Sequence, residues 1–144
     1  MAYQAKRKKL YTEDFELAEE DGRVIHTLHV SLDPDSMAQK LSEKHAALVR
    51  ALQDVSKISE GENEGVLEKI GIAVTDILEA VFGPVDAKTI IDFYQGRYLE
   101  MSEEVIPFVT DVVVPQVRNL ARENKQSIIA GYSRKQRRVF GKKG

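Results

Sequence analysis

The 144-residue sequence predicts a mainly α fold: an N-terminal β-hairpin, then a bundle of four to five helices, with flexible basic termini. Three observations carry this expectation. Apolar residues alternate with period two between Phe15 and Leu32, they recur at spacings of three, four and seven from Met37 to Leu120, and both ends are basic without apolar periodicity. The predicted organisation is a basic arm over 1–12, one domain over 13–123 and a basic tail over 124–144. A chain of this length buries a little under ~70% of the surface it exposes unfolded, enough to fold alone.

The hairpin comes first. Phe15 and Leu17 alternate with Asp14 and Glu16, Glu19 to Gly22 supply turn chemistry, and Val24, His26, Leu28, Val30 and Leu32 repeat on one face. Asp33 to Ser36 then signal a helix start, with Pro34 in the first turn and Ser36 with Gln39 spaced as a capping box. Met37, Leu41, Leu48, Leu52 and Val55 make one stripe, giving a helix to about Lys57. An acidic loop, Ser59 to Gly65, precedes the wide stripe Val66 to Phe82. Gly83 and Pro84 stop that helix, and a short one over 86–95 closes at Gly96. The last apolar segment, Met101 to Leu120, contains Pro107 and Pro115. Each removes a donor and clashes with the preceding turn, so a kink or a break is expected.

The net charge of −2 conceals a division. All 23 carboxylates lie between Glu13 and Glu123, while 11 of the 21 cations lie outside that span, which therefore carries ten cations and a net −13. The protein is predicted to be an acidic body with two basic ends. The absence of Cys excludes disulfides, zinc–thiolate sites and a thiol nucleophile, and it suits a reducing compartment. No run approaches the ~18 apolar residues of a membrane span, and the amino terminus is polar where a signal peptide is apolar.

Chemistry-bearing patterns are few. His26 and His29 point to opposite sides of a strand, so they do not converge on a metal, and His45 lacks a ligand partner one turn away. Glu60, Glu62, Glu64 and Gly65 imitate the start of a calcium loop, but its twelfth place falls on Gly71, which has no carboxylate. Glu104 and Asp111, seven apart, share a predicted helix face in solvent that would not separate their pKa values for acid–base work. No nucleophile elbow or phosphate loop is present. The expectation is a protein without catalytic residues, cofactor or metal. Two binding surfaces remain. Val105, Phe108, Val109, Val112, Val113 and Val117 exceed one buried stripe; most are expected in the core, and a subset offers an apolar face for a partner helix. Arg134, Lys135, Arg137, Arg138, Lys142 and Lys143, with Tyr132 and Phe140 nearby, offer a basic tail that would hold phosphates or would stay a solvated segment that keeps the protein soluble or touches its own acidic body.

The string Ile77-Leu78-Glu79-Ala80-Val81-Phe82-Gly83, followed by Ala87-Lys88-Thr89-Ile90-Ile91, Tyr94-Gln95-Gly96-Arg97 and an acidic-apolar helix, resembles the tail assembly chaperones of long-tailed, siphovirus-like bacteriophages. The likeness covers residues 13 to 122. Pro107, Pro115 and the long basic tail depart from the family's pattern. The resemblance implies a protein that binds the tape measure protein, keeps it soluble and promotes tail tube polymerisation around it. It further implies partners in the tape measure and tail tube proteins, a homo-oligomer, action in the host bacterial cytoplasm and absence from the mature virion. Genes of this family often carry a slippery site near their end. Gly141-Lys142-Lys143-Gly144 is compatible with an A-rich codon run of that kind. The alternative expectation is a virion structural protein of the tail or head–tail region that binds nucleic acid or an acidic protein surface through its basic ends.

Overall fold

The computed structural model describes residues 2–59, 61 and 63–141. Strands β1 (Tyr11–Ala18) and β2 (Val24–Leu32) pair antiparallel, Tyr11 opposite Leu32 and Phe15 opposite Leu28, with an irregularity at Leu17/Ala18. The hairpin closes through Gly22, whose φ of 90° lies in the region only glycine adopts without strain, and through an amide of Arg23 that donates to Asp21 Oδ1 at 2.9 Å. Leu17, Leu28, Val30 and Leu32 are buried on its inner face, as the period-two pattern predicts. Tyr11 is buried as well, so the strand starts two residues inside the predicted arm.

Helix α1 (Pro34–Leu52) is capped by Asp33, whose carboxylate accepts from the Asp35 amide at 3.3 Å. The Ser36–Gln39 capping box does not form. Asp33 has the extended backbone a cap requires, and the Gln39 amide instead donates to Glu43 at 3.1 Å. Leu41 and Leu48 are buried, but the helix ends before Val55, which is exposed. A four-residue turn of helix, α2 (Ser56–Ser59), leads to α3 (Asn63–Phe93).

Helix α3 is two arms meeting at Gly83, where φ 83° and ψ 163° interrupt the helical path. Pro84 disfavours a helical conformation at the residue before it and itself fits the first turn of the second arm, so the pair makes an elbow. Ile70, Val74, Ile77, Leu78 and Ile90 are inaccessible to solvent. The second arm ends where Gln95 and Gly96 adopt positive φ and the Gly96 amide donates to the Ile91 carbonyl, a Schellman-type stop.

The last apolar segment, predicted to be one kinked helix or two, is three pieces. Helix α4 (Tyr98–Glu104) ends at a turn on Val105, two residues before Pro107. A π-helical segment (Phe108–Val113) follows, and its widened turn carries the Val114 amide to the Val109 carbonyl five residues back. That register gives Pro115 room at the second position of α5 (Val114–Gly141), where it has no amide to donate. Helix α5 then continues through 124–141, which composition assigns to a flexible tail. The fold is therefore a mainly helical domain behind a two-stranded hairpin. Among the described residues it has three long helices, α1, α3 and α5, not four to five, because α2 and α4 are only four and seven residues long.

Helix α1 packs on α3 and α5, and β2 lies on α3. The rings of Phe15, Phe82 and Phe108 join hairpin, elbow and π segment, with centroids 4.7 Å apart for Phe15–Phe108 and 5.6 Å for Phe15–Phe82.

Candidate functional site

The predicted apolar docking face is mostly interior. Val105, Val109, Val113 and Val117 are wholly buried, and Phe108 is half-buried against Phe15 and Phe82, which leaves Val112 half-exposed at its edge. The fold wraps this segment with the hairpin on one side and α1 on another, so its excess of valine fills core. Glu104 and Asp111 fall on opposite sides of the Val105 break and do not share one helix face. His29 pairs with Asp14 across the hairpin at 2.6 Å, whereas His26 meets the Phe93 ring edge-on, so the two histidines do diverge. His45 is half-buried on α1. Glu60, Glu62 and the side chain of Glu64 lie outside the described residues, as do Lys142, Lys143 and the side chains of Arg134, Lys135, Arg137 and Arg138. Among the described residues no three His, Asp or Glu side chains converge as metal ligands, and no helix is long and apolar enough to cross a membrane.

Two clefts stand where the pattern of residues does not point. The first, of about 380 Å³, is an apolar groove along the outer face of α3, lined by Leu67, Gly71, Ile72 and Thr75 and walled by the ring of Tyr98 from α4. Its shape depends on Gly71. A Cβ there would stand 3.0 Å from Tyr98 Cε2, so the ring rests on the helix only because the side chain is missing. Ile72 is 58% exposed beside it. Glu68 and Asp76 flank the groove, and Asp76 faces Lys44 at 3.8 Å.

The second cleft, of about 900 Å³, lies between the turn end of the hairpin and the turn joining α3 to α4. Phe15, Ile25, Phe93 and Tyr94 line its apolar part, with Phe93 and Tyr94 packed edge to face at 5.0 Å. Around them stand Glu16, Glu19 and Glu20 from the hairpin and Glu100 and Glu104 from α4. Arg97 is the cation of this lining, and it is engaged locally, its guanidinium 3.0 Å from Glu100 and hydrogen-bonded to the Tyr94 carbonyl at 3.1 Å. Burial, then the charges of Glu104 and Glu100, push the Tyr94 phenol above its ordinary pKa, so the ring stays neutral in a negative field. Such a site attracts a cationic group that also carries apolar surface.

Sequence reading misses both clefts for one reason: each is assembled across elements. The carboxylates of the second come from positions about 80 apart in the chain, and each set taken alone reads as a solvated face. The Phe93-Tyr94 pair just before a glycine helix stop is the signal that points toward the second cleft. No protein-family model, curated protein or solved structure matches the chain.

Proposed function

We propose that the chain is a non-enzymatic assembly chaperone of the tail of a long-tailed bacteriophage, holding apolar helix of the tape measure protein in the groove over Gly71 and Tyr98. The observation that carries this reading is the groove itself: Leu67 and Ile72 of α3, open to solvent beside the Tyr98 ring, with Glu68 and Asp76 on either side. This geometry suits the helix-in-groove mode, in which apolar anchors give affinity and the surrounding charge limits non-specific association. The string that resembles the tail chaperones, residues 77–97, occupies the two arms of α3 at its elbow and the turn that sets Tyr98 over the groove. In this role the protein acts in the host cytoplasm, keeps the long tape measure helix soluble while tube subunits polymerise, and is left out of the finished virion.

Co-expression with the tape measure protein tests the reading. Recovery of the pair in a pull-down is expected. Completing the burial of Ile72 contributes about 1–1.5 kcal/mol, so Ile72→Asp should weaken the complex about tenfold or more. Failure to recover a complex when both proteins are folded, or an Ile72→Asp variant that binds as well as the parent, refutes it.

A virion structural role is the second reading, favoured by the basic composition of α5 beyond Glu123. It requires many copies in purified particles and salt-sensitive DNA binding lost on deletion of residues 125–144.

A further inference from the structure

We infer that the cleft between the hairpin turn and the α3–α4 turn binds a short arginine-rich segment of a partner protein, one that also carries apolar side chains. The inference does not rest on the groove over Gly71, which shares no lining residue with this cleft. Carboxylates flank the cleft on two sides, Glu16, Glu19 and Glu20 on the hairpin and Glu100 and Glu104 on α4. Glu100 and Glu104 are one turn apart, so they share a face of that helix. Phe15, Ile25, Phe93 and Tyr94 supply the apolar lining. Arg97, the cation of the lining, is paired with Glu100, which leaves the lining four carboxylates in excess. The surface is thus both aromatic and strongly negative, and its complement is a group that is both apolar and cationic.

The lining selects among such groups. A compact metal ion does not suit it, because among the described residues no three His, Asp or Glu side chains converge as ligands. A wholly apolar segment would strip water from the carboxylates and return nothing. A linear polyamine would meet the charge, but it has no side group to cover Phe93 and Tyr94. The volume of about 900 Å³ also lies toward the upper end of the ~300–1,000 Å³ of small-molecule pockets. Arginine meets both demands. Its guanidinium pairs with carboxylates in a fixed fork and stacks on aromatic faces, while adjoining leucine or aromatic side chains cover the remaining apolar lining. The chain's own basic arm is held elsewhere. Tyr11, where the arm ends, pairs with Leu32 at the open end of the hairpin, whereas the cleft adjoins the turn after Ala18. Lys8 of the arm donates to Asn124 at 3.1 Å. The occupant therefore comes from outside the chain.

The protein contains no Trp, so a probe peptide that carries one is followed by its own fluorescence. A capped six-residue peptide of three arginines, two leucines and one tryptophan, titrated with the full chain, should show saturable anisotropy that weakens with added salt. Glu19→Lys with Glu20→Lys, at the exposed hairpin turn, should weaken binding about tenfold or more, and Ile25→Ser, on the apolar lining, about threefold or more. Glu79→Lys with Glu123→Lys makes the same change in net charge outside the cleft and should leave binding within about twofold, as should Ile72→Asp in the other groove. Far-UV circular dichroism of each variant should match the parent. Three competitors should each displace the probe about tenfold less well than a second portion of the probe itself: its analogue with serine at the leucine and tryptophan positions, spermine, and a peptide of residues 2–10. Absence of saturable binding, cleft variants that bind as well as the parent, or equal weakening by the control pair overturns the proposal. So does a competitor as effective as the probe, which would assign the cleft to charge alone, to a small polycation or to a second copy of this chain.

Discussion

The elbow in α3 makes a demand that a single methyl group tests. Gly83 has φ 83° and ψ 163°, a region populated almost only by glycine, and a Cβ built there meets nothing within 4 Å. Alanine at this position therefore gains no contact and suffers no clash, and its cost is torsional, about 2–3 kcal/mol. Restricting the unfolded chain returns about 0.4–1 kcal/mol. The net loss for Gly83→Ala is about 1–2.5 kcal/mol. An unfolding entropy of about 2.1 cal/mol/K per residue gives about 0.3 kcal/mol/K for this chain, so the melting temperature should fall by about 3–8 °C. Gly65→Ala is the internal control. Gly65 lies in the first arm of the same helix at ordinary φ, with open space where its Cβ would be, so alanine should raise stability by up to about 1 kcal/mol. The unfolded-state term is common to both and cancels in their difference. Urea denaturation with an unchanged m-value measures that difference directly. Two variants that stabilise equally would show that α3 runs straight through residue 83, and the account of the elbow would fail.

Three further outcomes follow from particular contacts. Val113→Ala should cost about 1–3 kcal/mol in urea denaturation, because Val113 is wholly buried. Were it an open docking position, the substitution would leave stability unchanged and reduce only partner binding. Gly71→Ala should displace the Tyr98 ring into the groove and, if the proposed function holds, weaken tape measure binding more than it changes stability. Equal binding by the variant would mean that the groove is not the contact surface. Burial, with the charge of Glu13 and a hydrogen bond to it, pushes the Tyr11 phenol up to about 12. The raised value favours the neutral phenol in the folded state, so its contribution is complete below the unfolded value of 10 and is lost as pH rises through about 12. About 2–3 kcal/mol should therefore disappear between pH 10 and 12, and in Tyr11→Phe that part of the pH dependence should be absent.

What the sequence discloses, and what it withholds, follows the range of the interaction responsible. Period-two alternation places Leu28, Val30 and Leu32 inward because strand geometry alone decides their face. Tyr11 escapes because its partner is Leu32, across the hairpin, while in sequence it follows the basic run Lys6 to Lys9 and the exposed Leu10. The glycines at 83 and 96 are legible since each acts through its own backbone. Pro115 is legible only in part. That it disturbs a helix is local knowledge, but the π turn that accommodates it keeps Val109 and Val113 both buried, and only packing decides that. The same distinction accounts for the carboxyl-terminal segment. Composition sees no apolar core beyond Glu123, yet Ala121, Arg122, Lys125 and Gln126 are good helix formers continuing a helix already nucleated on α1, so propagation proceeds without burial. A helix that extends past its support exposes Ile128, Ile129 and Tyr132, which a coil would not align. Helical order in a basic segment thereby turns a solvated tail into a surface with a specific face.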